Sequence, residues 1–142
     1  MKKHVLLAAA LILTLTGLLS ARAATAAEPA GEDRVVKCSE CGMNAKVSNR
    51  FTARIVQGGS TLYFCDIGDL AAFIERTHPK EYAAAVHDFT GGEWLDVNKA
   101  FFAIDKKTYL TPMRWGVAAF RDRTAVAGAT MSFEALRKAL PR

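Results

Sequence analysis

The stretch Cys38-Ser39-Glu40-Cys41-Gly42-Met43 places two thiols and a thioether within six residues, and no other stretch constrains the fold as much. A Cys-x-x-Cys turn aims both sulfurs at one point. Gly42 removes Cβ bulk and admits a positive φ, so the backbone can turn tightly behind a bound ion. Met43 makes the donor set softer, and thiolate with thioether is the chemistry that suits Cu(I). The polar run 44–50 after it reads as loop rather than the start of a helix. The alternative for Cys38 and Cys41 is a redox or structural disulfide without metal.

What precedes the motif reads as an export leader and a tether. Met1-Lys2-Lys3-His4 is basic and Val5 to Leu19 is apolar, while Ala21-Arg22-Ala23 and Ala24-Thr25-Ala26 offer small-x-small cleavage sites. Residues 1–27 are therefore expected to be a signal peptide, 28–37 a flexible tether carrying Pro29 and Gly31, and 38–142 a metal-binding domain. An uncleaved membrane anchor is the competing reading, although the apolar run is short against the ~20 residues of a span. The whole chain has 142 residues and a net charge of +5. Lys2, Lys3 and Arg22 leave with the leader, so sixteen basic residues face fourteen acidic ones, a net of +2. That is too mild to argue for a nucleic-acid partner. All three cysteines, Cys38, Cys41 and Cys65, follow the leader. An odd number leaves at least one unpaired in an oxidising compartment, which is more simply read as metal binding.

Along the domain, Phe51–Gln57 alternates, Gly58-Gly59 is a two-residue hairpin turn, and Ser60–Phe64 is the return strand. A short helix follows at Leu70–Arg76, capped by Asp66 or Asp69 and ended at His78-Pro79. Tyr82–Phe89 reads as a strand, Thr90-Gly91-Gly92 as a turn, Glu93–Asp105 as one long strand or two, and Gly116–Arg121 as another strand. Ser132 caps a last helix in which Phe133, Leu136 and Leu140 share a face. Strands joined by hairpin-sized turns and interleaved with two helices predict an α+β fold, with a loose recurrence of strand, strand, helix.

Several motifs stand together: Cys38–Met43, Tyr63-Phe64-Cys65-Asp66-Ile67-Gly68-Asp69-Leu70, Asp88-Phe89-Thr90-Gly91-Gly92-Glu93-Trp94-Leu95-Asp96, Ala100-Phe101-Phe102, Thr111-Pro112-Met113 and Gly116–Phe120. In this order they resemble the NosL family, accessory proteins of nitrous oxide reductase assembly, from about Cys38 to the C-terminus. The resemblance implies an exported Cu(I)-binding chaperone, not an enzyme. It would supply copper to the maturing reductase and work with a membrane transporter complex. It also implies two small ββαβ-like units with mostly antiparallel strands. The first half looks like the YHS and TRASH metal-binding modules as well, which pair a Cys-Gly-Met with a later Tyr-Phe-Cys. Those modules usually carry another Cys soon after, where this chain offers Asp69. Many family members are lipoproteins with a Cys at the cleavage point. None occurs before Cys38 here, so a soluble periplasmic location is expected.

The candidate metal ligands are Cys38, Cys41, Met43, Cys65, His87 and Met113. Pro112 stiffens the backbone beside Met113, which otherwise reads as a core methionine. Cys65 is a third thiolate or a buried free thiol. His87 adds an imidazole at the site's edge or is a surface strand histidine. Thioethers are neutral and weaker than thiolates, so one can be exchanged for an acceptor's ligand during hand-over. Two further readings compete: a thiol oxidoreductase, which needs a thioredoxin-like helix after Cys41, and a zinc module with four closed N/S ligands that docks a partner. No Ser/His/Asp constellation, phosphate loop or carboxylate pair is present, and no small-molecule substrate is expected.

Overall fold

The structure is a computed structural model that describes residues 34–140. The signal-peptide expectation and most of the expected tether lie outside the described residues. Val35–Lys37, which composition assigns to the tether, forms strand β1. It pairs antiparallel with β2 (Asn44–Lys46), so part of the expected loop 44–50 is also strand. Ala45 is the one buried residue of this short hairpin, and three-residue strands of this polarity carry too little hydrophobic alternation to be seen in sequence.

Over the described residues the chain is α+β, with two α-helices and antiparallel strand pairs. Strands β3 (Ala53–Gln57) and β4 (Ser60–Phe64) form the expected hairpin, and both turn glycines have positive φ. Helix α1 (Ile67–Thr77) follows at once, one turn longer at its start than the apolar pattern suggested. Asp66 is its N-cap, accepting from the Gly68 N–H, and His78 closes it in the left-handed conformation with its N–H on Ile74 O.

The second half repeats this order. Strand β5 (Ala83–His87) turns into β6 (Trp94–Asp96), β7 (Phe101–Ile104) pairs with β8 (Val117–Phe120), and α2 (Phe133–Ala139) is capped by Ser132. The expected run Glu93–Asp105 is thus two strands. A 3-10 turn at Arg123–Ala125, capped by Asp122, stands where α1 stands in the first half.

The halves are not separate bodies. β3 pairs with β5, so one four-stranded sheet in the order β4-β3-β5-β6 carries strands from both. Phe64, Ile67, Leu70, Ile74, Val86, Phe102, Val117 and Leu136 form one buried core under this sheet and the helices. Burial of that size is the main force holding α1 against β3 and β4, and therefore the end of β4 against the Cys38 turn.

The recurrence extends to single hydrogen bonds. At the end of β1, Cys38 N–H donates to Met43 O and Gly42 N–H to Cys38 O; at the end of β5, Asp88 N–H donates to Glu93 O and Gly92 N–H to Asp88 O. Each turn is stitched sideways to its own hairpin, Ser39 N–H to Tyr63 O in one half and Phe89 N–H to Ala119 O in the other. The matching parallel bridges join Cys38 with Tyr63 and Asp88 with Ala119. Gly42 and Gly92 both sit at positive φ, +74° and +83°, the conformation each turn needs to reverse in so few residues.

Candidate metal centre

Three short elements converge on one point. Cys38 lies at the exit of β1, Cys41 in the turn, and Cys65 at the exit of β4. The bridge between Cys38 and Tyr63 sets Cys38 beside the chain that carries Cys65. Asp69 comes from the first turn of α1, three residues after the Asp66 cap. The three sulfurs and one Asp69 carboxylate oxygen all lie within 4.8 Å of one another, so Cys38, Cys41, Cys65 and Asp69 form a group that could hold a metal ion. Cys41 Sγ is 3.5 Å from Cys65 Sγ, and Asp69 Oδ2 accepts from Cys65 Sγ at 3.4 Å and Cys38 Sγ at 3.5 Å.

The surroundings fix these groups. Asp69 Oδ1 accepts the Trp115 Nε1–H at 2.8 Å, which leaves Oδ2 for the sulfurs. Trp115 lies flat on Gly68, where an added Cβ would come within 2.0 Å of the indole. Gly68 is therefore the gap that lets the indole reach Asp69. Asp66 accepts from Gly68 N–H at 3.1 Å and from Met113 N–H at 3.0 Å, tying the loop before β8 to the same end of α1. Glu40, inside the turn, pairs with Arg76 on α1 at 2.5 Å.

Burial dominates the electrostatics. Cys38 and Cys65 are 3% and 2% exposed, Asp69 is also buried, and Cys41 is half-buried. Burial pushes the Cys65 thiol far up, and the neighbouring Cys41, Cys38 and Asp69 add to it. Burial also raises Cys38, opposed by backbone N–H groups of Cys41, Cys65 and Glu40 aimed at its sulfur. Donors aimed at a sulfur stabilise it as a thiolate, the form that binds metal. Asp66 is raised by burial against the hydrogen bonds from Thr111, Gly68 and Met113.

Of the sequence candidates, the structure gathers Cys38, Cys41 and Cys65. Met43 and Met113 are on the loops flanking them, 43% and 39% exposed. Met43 O holds the turn by accepting Cys38 N–H, and the Met113 backbone is anchored by Asp66. His87 is placed elsewhere. It is buried rather than on the surface, and its two ring nitrogens lie 2.7 Å from the carbonyl oxygens of Gly92 and Val47, so neither is turned toward the sulfurs. Its ring stacks on Trp94 at 3.8 Å, and His87 serves as a strut between the two halves.

Sequence reasoning noted Asp69 as an alternative helix cap, a place that Asp66 takes, and as the residue where a further Cys would stand, and it missed Trp115 as a site residue. The four-residue spacing Cys65-x-x-x-Asp69 was a usable signal for Asp69. For Trp115 there was none, because it meets α1 across forty-six positions of chain. No family model matches the chain, and no curated protein or solved structure matches it.

Proposed function

We propose that the protein is an exported carrier of a soft metal ion, Cu(I), which it hands to a copper enzyme. The observation that carries this reading is the convergence of three cysteine sulfurs within 4.8 Å, two buried and one reachable from solvent. Three sulfurs hold Cu(I) tightly without demanding a rigid geometry, and a half-exposed Cys41 is a route for ligand exchange with an acceptor. Met43 and Met113 stand exposed on adjoining loops, where a weak thioether donor serves transfer rather than storage. The motif order that resembles the NosL family favours nitrous oxide reductase and its membrane transporter complex as partners. The basic and apolar leader favours the periplasm. The carrier role involves no turnover. The oxidoreductase alternative called for a helix after Cys41; a turn and strand β2 follow instead.

One observation supports a second reading, a structural zinc module. Asp69 is latched by Trp115 with one oxygen facing two sulfurs, which makes a closed set of three sulfurs and one oxygen, and a tetrahedral four-donor set suits Zn²⁺.

Anaerobic titration of the reduced mature protein with Cu(I) against a competing chelator separates the two, read by native mass spectrometry and X-ray absorption. One tightly held copper with sulfur-only coordination, lost in Cys41→Ser and weakened in Met113→Ala, supports the carrier. A site that binds Co²⁺ or Zn²⁺ with an oxygen ligand, and yields copper to weak chelators, supports the zinc module and overturns the copper reading.

A further inference from the structure

The Cys-x-x-Cys spacing suggests that any disulfide here would join Cys38 to Cys41. The geometry points to a different pair: we infer that Cys41 and Cys65 are a thiol–disulfide exchange site, with Cys41 as the attacking thiol and Cys65 as the resolving one.

Five observations carry this. Cys41 and Cys65 have their sulfurs 3.5 Å apart, at van der Waals contact. Cys41 is the one half-buried thiol of the three, so an incoming disulfide meets it first. Cys65 lies behind it, 2% exposed, where a solvent oxidant cannot reach but the Cys41 sulfur can be reached. Cys38 is as shielded as Cys65, 3% exposed, so an incoming disulfide does not meet it either. The stitch from Ser39 N–H to Tyr63 O, at 2.8 Å, keeps the turn against the end of β4, so the two sulfurs stay together without metal. Exchange rate depends on access and on which sulfur can be attacked, and this arrangement fixes both.

The oxidant is an exogenous disulfide, of the small-molecule or protein kind present in oxidising compartments. Cys41 loses its proton to solvent and attacks one sulfur of the oxidant, whose S–S bond breaks and whose other half leaves as a thiol. Cys65 then passes its proton to Asp69 Oδ2, which already accepts from its sulfur at 3.4 Å, and attacks Cys41 Sγ, forming the Cys41–Cys65 bond and releasing the second half as a thiolate that takes up a proton from solvent. Two protein thiols are oxidised and one disulfide is reduced to two thiols. The product retains only Cys38 of the three sulfurs, so it lacks the donor set of the carrier. The inference shares residues with the metal reading but does not rest on it, since every observation above concerns metal-free thiols.

The test uses the metal-free mature protein treated with glutathione disulfide, quenched with an alkylating agent and mapped by peptide mass spectrometry. The expected product links Cys41 to Cys65, with Cys38 alkylated. Cys65→Ala should stop at a mixed disulfide on Cys41. A Cys38–Cys41 link, a scrambled mixture, or three alkylated thiols after full exposure would overturn it. The parent map needs no variant, so misfolding of a mutant cannot obscure the result. A separate Cu(I) titration of the same reduced sample tells failure of this inference from failure of the carrier reading.

Discussion

Two turns, Cys38–Met43 after β1 and Asp88–Glu93 after β5, close with the same pair of backbone hydrogen bonds and the same stitch to a neighbouring hairpin. They differ in what fills them. In the first, N–H groups of Cys41 and Cys65 point at the Cys38 sulfur. In the second, the N–H groups of Gly91 and Arg121 point at the Asp88 carboxylate, at 2.8 and 3.0 Å. Gly91 and Arg121 occupy the places of Cys41 and Cys65. The 3-10 turn after Asp122 has no buried residue, where α1 supplies Asp69. One backbone thus serves two purposes. A carboxylate completes the second turn from within, and no further atom is needed. The first turn gathers sulfurs whose protons must leave before they can bind an ion. Loop geometry alone is not the site; the side chains placed on it are.

The largest expected effect tests that contrast directly. Cys38→Ser or Cys41→Ser should weaken metal binding by more than about 100-fold, since these groups would touch the ion while outer partners alone cost ~10–100-fold. Asp88→Asn should leave affinity within a few-fold in the same chelator competition. An equal loss from Asp88→Asn would mean that the second turn shares in the site.

The converse experiment concerns stability. Asp88→Ala removes the buried acceptor of two partly buried hydrogen bonds and should destabilise the fold by ~2–4 kcal/mol in urea unfolding. A loss under ~1 kcal/mol would show that water replaces the carboxylate and that Asp88 is no strut.

Proton competition should mark only the first turn. Cys38 and Cys65 are raised from 9.0, so an ion must displace their protons, and affinity should fall by up to about tenfold per displaced proton for each unit that pH drops. For the metal-free fold the sign is opposite. A raised thiol favours the native state below the ordinary thiol range, and that contribution is lost as pH rises toward the raised value. Unfolding midpoints measured from pH 8 to 10 should therefore decline in the parent and stay flatter in Cys65→Ala.

Trp115→Phe keeps an aromatic ring over Gly68 and deletes the donor to Asp69 Oδ1. About a tenfold loss of metal affinity is expected if Asp69 ligates or orients the sulfurs, with little loss of copper if the sulfurs act alone. This variant also separates the copper and zinc readings.

The smallest effect should be equal in both turns. Gly42→Ala and Gly92→Ala meet no atom within 4 Å, so only the positive φ opposes them, at ~1 kcal/mol each. A much larger cost at Gly42 would mean that its turn is strained in a way its counterpart is not.

The sequence was most legible where a local rule acts. Gly58-Gly59 marked its hairpin, Asp66 and Ser132 their helices, and His78 the end of α1, because turn and cap chemistry depend on neighbours a few residues away. It was least legible in β1 and β2, where three-residue strands paired across the turn give almost no alternation. His87 was misplaced because strand alternation does not tell a solvent face from a face covered by the other half of the chain. The loose recurrence of strand, strand, helix understated a correspondence that lies in backbone hydrogen bonds, which leave no mark on side-chain identity.

By itself the sequence determined the donor chemistry: three thiols, one thioether beside a tight glycine turn and another after Pro112, and an α+β pattern to carry them. Tertiary structure decided which of those donors meet. Cys65 and Asp69 arrive at the Cys38 turn because β4 and α1 pack on the shared core, and Trp115 reaches Asp69 because Gly68 leaves it room. Local sequence fixes which atoms a residue offers, whereas proximity between distant residues is set by burial of the apolar surface between them.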